Sequence, residues 1–404
     1  MNKVSSKKIL LLTPVYPGND VHKSTTPVVH YFTREWKKMG HEVLVVHYPV
    51  NFPKLVYTLA RPFKDKISTI MGSEIRTWAV KECEYDWDNI HVKRIPLVKF
   101  RPHCRYSSKQ IQKAVSKTVA YCESENYRPD VIISHWVNPS LEIMHHLKEY
   151  FKVPTCFVSH DIGWDLDTIY KKEAQAYLNE TDVIGYRSDF IKRSFEEKYN
   201  CSDKAHFMCY SGLPVSYIED VHRNLTEIRN FVFVGTLLKR KYPAEIIPAV
   251  VKALGKENFT INYIGYGEET KKVALFTKEY NVHGKVNLLG FMKRDEVVKQ
   301  LDKNEVFVMI SKNETFGLVY LEAMARGCIT IASKEEGFDG IIKDGYNGFL
   351  CRAGDVDELA DIILKIRNMT TDERNMISNN AVETAKELTD INVAKNYINH
   401  VLCV

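Results

Sequence analysis

The sequence lacks the features by which several large protein classes are recognised. No uninterrupted apolar segment in its 404 residues approaches the roughly 20 residues that a membrane-spanning helix requires. The apolar run 9–12 near the N-terminus is short and is followed by Pro14, so it predicts a first strand and not a signal peptide. These absences predict a soluble or peripheral protein.

Metal-binding patterns are missing as well. The nine cysteines form no Cys-x-x-Cys pair and are odd in number, which argues against a zinc site and favours a reducing compartment. No Asp-x-Asp motif stands at a strand exit, and the near match at 165–167 is interpreted as the start of a helix. We therefore expect neither a metal ion nor another cofactor.

The composition argues against two further classes. The formal net charge of +5 is too small to predict nucleic-acid binding, although it favours an anionic ligand or an anionic membrane surface. The fingerprint G-x-G-x-x-G is absent from the first loop, which weakens the hypothesis of a nicotinamide-dependent enzyme. What remains is a globular chain, 45% hydrophobic, whose length suggests two domains.

The N-terminal half begins with the order strand, loop, helix, strand. The strand 9–12 leads through a loop into a helix that ends at Gly40, and a second strand follows at 43–46. A βαβ unit of this kind has parallel strands, and its first loop lies at their carboxyl edge, where α/β proteins bind ligands. Residues 17–20, which include Gly18, are therefore a candidate binding loop, and a plain turn is the alternative.

Two histidines follow later strands of this half. The strand 131–133 exits toward His135, and the strand 154–159 exits directly into His160. Strand exits of α/β folds supply ligand-binding groups, so His160 is the first candidate of the N-terminal half and His135 is the weaker one. A structural role is the alternative for both.

Between about 48 and 108 the hydrophobic periodicity fades. This interval is rich in basic and aromatic residues, among them Lys54, Arg61, Phe63 and Trp78. We interpret it as an irregular insertion that could contact anionic lipid headgroups or a phosphorylated acceptor. The alternative is a solvated excursion whose aromatic side chains pack on the sheet.

In the C-terminal half the strand pattern restarts, and glycine stands at the end of three strands. These glycines are Gly235, Gly265 and Gly290. A basic loop with Lys239, Arg240 and Lys241 follows the first of these strands. Guanidinium and ammonium groups suit a diphosphate, although three basic loop residues can equally be solvated.

The stretch 311–327 contains the most informative pattern. A buried strand at 306–310 is followed by a polar turn, and helical spacing begins at Leu318, so Gly317 lies near a helix start that favours an anion. Glu314 and Glu322 flank this start. Eight helical positions rise about 12 Å, beyond the separation of about 5 to 9.5 Å of glycosidase carboxylate pairs.

The two carboxylates therefore have different roles in our interpretation. One accepts hydrogen bonds from hydroxyls near the reacting centre, and the other reaches a more distant part of one long ligand, such as a nucleotide sugar. The alternative is that Glu314 is a solvated loop residue and Glu322 an exposed helix residue.

This pattern resembles the retaining glycosyltransferases of family 4 (glycosyl transferases group 1). The resemblance runs from Phe231 to about Asp361 and rests on the double-glutamate signature at 314–327 and on the block 344–350. It implies the α/β GT-B fold, with two Rossmann-like, doubly wound parallel-sheet domains facing each other across a cleft. We place them at 1–212 and 213–385, and we expect a terminal helix at 386–404 to pack back on the first.

The resemblance also implies roles for individual residues. Glu314 contacts hydroxyls of the donor sugar, Glu322 holds the ribose and Lys241 binds the diphosphate. Thr236 stands where related enzymes often carry an arginine, and Arg240 or Lys239 is expected to substitute for it. The catalytic candidates are Glu314 and His160; the donor-binding candidates are Gly18, Gly235, Arg240, Lys241, Gly265, Gly290, Phe291, Phe316, Gly317, Leu318 and Glu322.

The implied activity is a metal-independent hexosyl transfer with retention of configuration. The donor is a nucleotide diphosphate sugar, with UDP favoured over GDP, and the acceptor is a hydroxyl of a glycan or lipid-linked acceptor in surface polysaccharide biosynthesis. We expect a cytoplasmic protein that can associate peripherally with the inner face of an anionic membrane, and no nucleic-acid partner. The alternative is a non-catalytic nucleotide-sugar-binding module of the same fold.

Overall fold

The computed structural model describes residues 6–20, 27–64, 67–68, 75–101, 104–218, 221, 223–256 and 258–403. They form two compact units. The first contains nearly all described residues up to Tyr210 together with those from Asp390 onward, and the second contains those from Ser211 to Thr389. Each unit has its own sheet.

The sheet of the first unit has eight strands in the order β10-β9-β8-β7-β1-β2-β5-β4. Its central strands are continuous apolar runs that are buried along their length, as expected for parallel strands covered on both faces. Neighbours pair in parallel except β4 with β5. The bounds are β1 Lys8–Thr13, β2 Glu42–His47, β4 Cys83–Trp87, β5 Ile90–Arg94, β7 Val131–His135, β8 Thr155–Ser159, β9 Val183–Tyr186 and β10 Ala205–Met208; the short strands β3 Val50–Asn51 and β6 Leu97–Val98 pair separately.

Helices connect these strands and bury apolar stripes against the sheet. The first, α1, places Val29, Phe32 and Trp36 in the core at helical spacing. The helices of this unit are α1 Val28–Lys38, α2 Lys54–Ala60, α3 Ser108–Ser124, α4 Ser140–Phe151, α5 Ala174–Glu180 and α6 Asp189–Lys198. Short turns of 3-10 helix lie at Arg61–Phe63 and Lys171–Glu173, and a π-helical turn spans Leu166–Tyr170; a further 3-10 turn, Val215–Tyr217, belongs to the second unit.

The interval 48–108 is more regular than the sequence predicts, and that expectation was wrong in part. It contributes the hairpin β4–β5 to the main sheet, where β5 pairs in parallel with β2. The hairpin turns through Asp88 and Asn89, both with positive φ, as in a type I′ turn. Alternating charged residues hid β5, because only Ile90, Val92 and Arg94 of this strand are buried.

The second unit has a six-stranded parallel sheet in the order β13-β12-β11-β14-β15-β16. Its strands are β11 Asn230–Val234, β12 Thr260–Ile264, β13 Val286–Gly290, β14 Val306–Val308, β15 Ile329–Ser333 and β16 Phe349–Cys351. Its helices are α7 Ile246–Leu254, α8 Thr270–Glu279, α9 Arg294–Leu301, α10 Leu318–Ala325, α11 Val356–Asn368 and α12 Thr371–Glu387, with a 3-10 turn at Lys239–Lys241. The strand order reverses beside β11, and this edge of a doubly wound sheet is where ligands bind.

The last helix, α13, spans Asp390–Leu402 and belongs to the first unit. It packs on α1, where Trp36 Nε1 donates a hydrogen bond to the carbonyl oxygen of Ala394 over 2.9 Å. The Trp36 ring also meets the Tyr397 ring edge-on, with centroids 4.9 Å apart. None of the helices in the described ranges is long and apolar enough to cross a membrane.

Candidate functional site

Three glycines lie together at the carboxyl edge of the second sheet. Gly235, Gly265 and Gly290 end the adjacent strands β11, β12 and β13, and all three have positive φ. The Gly265 amide donates to the Gly290 carbonyl over 2.8 Å. A Cβ at Gly265 would stand 2.1 Å from the Gly235 carbonyl oxygen, so only glycine fits there. These three strand ends therefore expose backbone without side chains, and we call Gly235, Gly265 and Gly290 the glycine shelf.

Aromatic side chains border this shelf. A Cβ on Gly290 would lie 2.4 Å from the Tyr266 hydroxyl, so that ring covers the end of β13. Tyr266 and Phe291 are both exposed. Exposed aromatic rings beside a strand-end shelf can pack against a flat ligand group such as a base.

The start of helix α10 is shaped by Gly317, whose φ of 78° is left-handed. A Cβ here would come within 2.5 Å of the Tyr320 ring and 3.2 Å of Glu314 Cγ. The first amides of α10, those of Leu318 and Val319, point out of the helix and have no carbonyl in the preceding turn. With the positive end of the helix dipole they form a place for an anion.

Glu314 meets two cations in front of that helix start. Its Oε2 lies 3.4 Å from Lys241 Nζ and 3.4 Å from Arg240 Nη1, while the carboxylate is largely buried. Lys241 Nζ is also 3.2 Å from the position of a Cβ on Gly235. The structure thus brings the glycine shelf, two basic side chains and Glu314 together.

Lys239, the third residue of the basic loop, has a backbone contact elsewhere and not with Glu314. The Lys239 amide donates to Glu268 Oε1 over 3.0 Å. Arg240 also donates to the carbonyl oxygens of Lys312 and Asn313 over 3.3 Å. Between the two residues that the sequence left open as substitutes at Thr236, the geometry favours Arg240.

Sequence reasoning missed Glu336, which positions Glu314. Its Oε2 accepts a hydrogen bond from the Glu314 amide over 2.8 Å. Burial raises the pKa of Glu336, and its hydrogen bonds with the amides of Asn313 and Glu314 oppose that rise. The signal in the sequence was its position after strand β15 and next to Gly337. The structure shows why glycine stands there, since a Cβ at Gly337 would be 2.4 Å from the Glu314 carbonyl oxygen.

Glu322 has a separate cation, Arg294, which sequence reasoning also missed. Arg294 Nε donates to Glu322 Oε1 over 2.7 Å, and Glu322 is buried within α10. Burial raises the pKa of Glu322, and the Arg294 guanidinium opposes that rise. The two carboxylates of the motif thus occupy different electrostatic environments.

His160 of the first unit lies partly exposed at the exit of β8. Its Nε2 is 2.9 Å from Nδ1 of His135, and its ring stacks on Trp136 with centroids 3.9 Å apart. Burial lowers the pKa of both histidines, and the charge of Arg187 lowers both further. Both rings are therefore neutral near pH 7.

Gly18 lies in the loop after β1, and this loop is fixed by the hairpin of the same unit. The Tyr85 hydroxyl donates to the Pro17 carbonyl over 2.8 Å, and Arg94 Nη1 donates to Asp20 over 2.7 Å.

Described residues of the chain contain no group of three or more His, Cys, Asp or Glu side chains that could hold a metal ion.

Comparison with known proteins gives consistent matches. Residues 219–384 match the family described as glycosyl transferases group 1. An uncharacterised glycosyltransferase of Methanocaldococcus jannaschii is 26% identical over 64% of this chain and 71% of its own. The lipopolysaccharide core biosynthesis glycosyltransferase LpsE of Rhizobium meliloti is 30% identical over 33% of this chain and 38% of its own, so this chain spans less than half the length of that relative.

The fold has close counterparts among solved structures. Anabaena HepE, solved in complex with UDP and glucose, superposes with a TM-score of 0.68 over 98% of this chain and 100% of its own, at 17% identity. Identity this low shows the fold alone. The two α/β units, each with a largely parallel sheet, have the architecture of GT-B glycosyltransferases. Residues 219–384 therefore match the glycosyl transferases group 1 family, and the chain has the GT-B fold.

Proposed function

We propose that this chain is a retaining, metal-independent hexosyltransferase of family 4, as its double-glutamate motif implies. It moves a sugar from a nucleotide diphosphate sugar to an acceptor hydroxyl. The observation that carries the proposal is the convergence of Lys241 and Arg240 on Glu314, beside the start of α10. Two cations and a helix start in one place suit a leaving diphosphate.

In this proposal each part of the site has one task. Lys241, Arg240 and the first amides of α10 stabilise the charge that develops on the diphosphate. Glu314 then exchanges its contacts with these cations for hydrogen bonds from hydroxyls of the donor sugar. Glu322 accepts from the ribose hydroxyls, and the base lies along Gly290 and Phe291. His160 is the catalytic candidate of the first unit.

The transfer step needs no group beyond donor and acceptor. The bond between the anomeric carbon and the diphosphate oxygen breaks, and a bond from the acceptor oxygen to the same face of that carbon forms. The acceptor proton passes to the departing diphosphate oxygen. This route retains the configuration without a carboxylate nucleophile.

UDP-sugars are the favoured donors, with GDP-sugars as the second choice. HepE, which shares the fold, was solved with UDP and glucose. The acceptor proposed is a hydroxyl of a glycan or lipid-linked acceptor in surface polysaccharide assembly, which is supported by the likeness to LpsE.

The test combines donor binding with turnover. Purified protein is screened against UDP- and GDP-sugars for thermal stabilisation, because a bound donor raises the melting temperature. Released nucleotide diphosphate is then measured with the donor that binds. Glu314→Gln should lower kcat about hundredfold, while exposed Glu279→Gln should leave it unchanged. Wild-type turnover in Glu314→Gln would overturn the assignment, and binding without turnover in the parent chain would favour the non-catalytic alternative.

We also propose that α2 contacts an anionic membrane surface. Leu55, Leu59 and Phe63 repeat every four residues along α2 and the following 3-10 turn, and they are 69%, 64% and 60% exposed. Lys54 and Arg61 flank this stripe. An outward apolar stripe with basic neighbours suits an interface of acidic lipids.

Vesicle sedimentation tests this contact. The parent chain should bind phosphatidylserine vesicles and not phosphatidylcholine vesicles, and the triple change Leu55→Ser, Leu59→Ser, Phe63→Ser should weaken binding about tenfold. Leu275→Ser removes an equally exposed leucine of the second unit and serves as the control. Equal binding by the triple variant and the control would contradict the proposal.

A further inference from the structure

A chain of hydrogen bonds joins the last helix to His160 within the first unit. The Tyr397 hydroxyl of α13 lies 3.2 Å from His135 Nε2, and His135 Nδ1 lies 2.9 Å from His160 Nε2. Tyr397 and His135 are both fully buried. The three groups are therefore linked in a fixed order, and the first two of them are shielded from water.

The direction of these hydrogen bonds, from donor to acceptor, follows from the chemistry of the Tyr397 hydroxyl. A phenol hydroxyl donates well, and a neutral imidazole nitrogen is a strong acceptor. The other side-chain contact of the Tyr397 hydroxyl is the Cys156 thiol, which is only a weak acceptor. The phenol proton therefore points to His135 Nε2, and His135 must carry its own proton on Nδ1.

The protonation of His135 in turn determines that of the His160 ring. With a proton on its Nδ1, His135 donates to His160 Nε2, which leaves the single proton of neutral His160 on Nδ1. Stacking on Trp136, with ring planes 10° apart, fixes the plane of the His160 ring. Arg187 donates to the Cys209 carbonyl over 2.6 Å close by, and its positive charge disfavours a second proton on either histidine.

We propose that Tyr397 and His135 are positioning residues that hold His160 in the tautomer with its proton on Nδ1. His160 then meets its ligand as a neutral hydrogen-bond donor, and the acceptor on the ligand is an oxygen atom. The ligand part rests on the proposed function, in which that oxygen belongs to a hydroxyl of the donor sugar. The tautomer itself does not depend on any substrate.

This arrangement gives the C-terminal helix a part in the site. His160 cannot take a proton through Nδ1 unless the whole chain of hydrogen bonds reverses. It is therefore suited to orient a sugar oxygen and not to act as a general base. Loss of the Tyr397 hydroxyl would remove the bias and allow both tautomers.

The test reads the histidine nitrogens directly in the full-length chain labelled with 15N-histidine. The His135 and His160 signals are assigned with His135→Asn and His160→Asn, and the NMR shifts separate protonated from unprotonated ring nitrogens. We expect a protonated Nδ1 and an unprotonated Nε2 for both rings in the parent chain. In Tyr397→Phe both rings should move toward a tautomer mixture.

Tyr48→Phe is the matched control. Its hydroxyl is also fully buried in the first unit and contacts the Thr118 hydroxyl at 2.7 Å, so its loss costs a similar hydrogen bond without touching the histidines. A protonated Nε2 on His160 in the parent chain would overturn the proposal. So would an unchanged tautomer in Tyr397→Phe, or an equal change in Tyr48→Phe.

A turnover measurement tests the ligand part separately. With the donor identified by thermal stabilisation, Tyr397→Phe should lower kcat about tenfold and leave the donor KM within about twofold, and Tyr48→Phe should change neither. Equal kcat in Tyr397→Phe and the parent chain would remove the positioning role. A parent chain that turns over no donor would defeat the proposed function, while the NMR result would still decide the tautomer.

Discussion

The two units end their parallel strands with different chemistry. In the second unit, glycines and charged groups gather at the sheet edge, where Gly265 leaves no room for a side chain and Glu314 faces two cations. In the first unit, the corresponding edge carries two neutral histidines in hydrogen-bond contact, the buried His135 and the partly exposed His160. The edge of the second unit suits an anion, whereas His135 and His160 at the edge of the first unit offer hydrogen bonds without charge.

The difference extends to the way in which each unit responds to acid. His222 and His283 are the only histidines between 211 and 389, whereas the remaining twelve of the 14 lie in the segments of the first unit. In the second unit, burial raises the pKa of Glu322 and of Glu336, whereas hydrogen bonds with neighbouring groups leave the pKa values of Asp357, Glu358 and Glu373 lowered. Acid should therefore destabilise the first unit, with its buried histidines, more than the second.

The largest expected effect is a selective loss of stability of the first unit between pH 7 and pH 5. Burial lowers the pKa of His47 and of His135 to about 3. Between pH 6.5 and pH 3 the unfolded chain therefore binds protons at these two residues that the folded chain does not bind. Their stabilisation is complete above pH 6.5 and falls as the pH drops, by about 2 kcal/mol each at pH 5. Asp161 offsets about 1 kcal/mol, because burial raises its pKa to about 6. The net loss from these three groups is about 3 kcal/mol.

Tryptophan fluorescence isolates this effect, since all five tryptophans precede residue 211. Urea unfolding followed by fluorescence should show a lower midpoint at pH 5 than at pH 7. Hydrogen exchange of peptides from β11 and β14 should show that the second unit loses less protection, because Glu322 and Glu336 gain protons more readily when folded. Parallel losses in both units would contradict the contrast.

A smaller effect is expected from one methyl group at the glycine shelf. Gly265→Ala forces a backbone shift, since the new Cβ would stand 2.1 Å from the Gly235 carbonyl oxygen. Gly255→Ala is the control, because Gly255 also has a positive φ, 75° against 127° at Gly265, but a Cβ there would meet nothing within 4 Å. Gly265→Ala should cost about 2 kcal/mol more than the control. Hydrogen exchange of β11 and β12 measures the difference, and equal costs would show that the shelf adapts.

The sequence predicted the second unit better than the first for physical reasons. Gly317, Glu314 and Glu322 lie on one short stretch, so local spacing carried the prediction of a helix start with two flanking carboxylates. Arg294 and Glu336 were missed because they reach the motif from other strand ends, which only the tertiary structure brings near. Their polar side chains look like surface residues in the sequence.

In the first unit the signals were weaker because contacts between distant segments define the site. Tyr397 lies more than 200 residues from His135, and nothing in the sequence around α13 links the two. Strand β5 was hidden for a related reason. Its charged residues, partly buried Lys93 and buried Arg94, obscure the alternation of buried positions, so the interval 48–108 was predicted to be irregular although it extends the main sheet.

The smallest expected effect concerns Glu336, and it separates hydrogen bonding from charge at the site of the second unit. Glu336→Gln keeps an oxygen that can accept from the Glu314 amide, so it should change stability by less than about 1 kcal/mol. Glu336→Ala leaves that amide buried without its acceptor and should cost about 1–3 kcal/mol. Thermal unfolding followed by hydrogen exchange of the peptide that contains Glu314 distinguishes the two variants. If both cost the same, the charge of Glu336 and not its hydrogen bond holds Glu314, and the second unit would depend on paired charges even where its groups are buried.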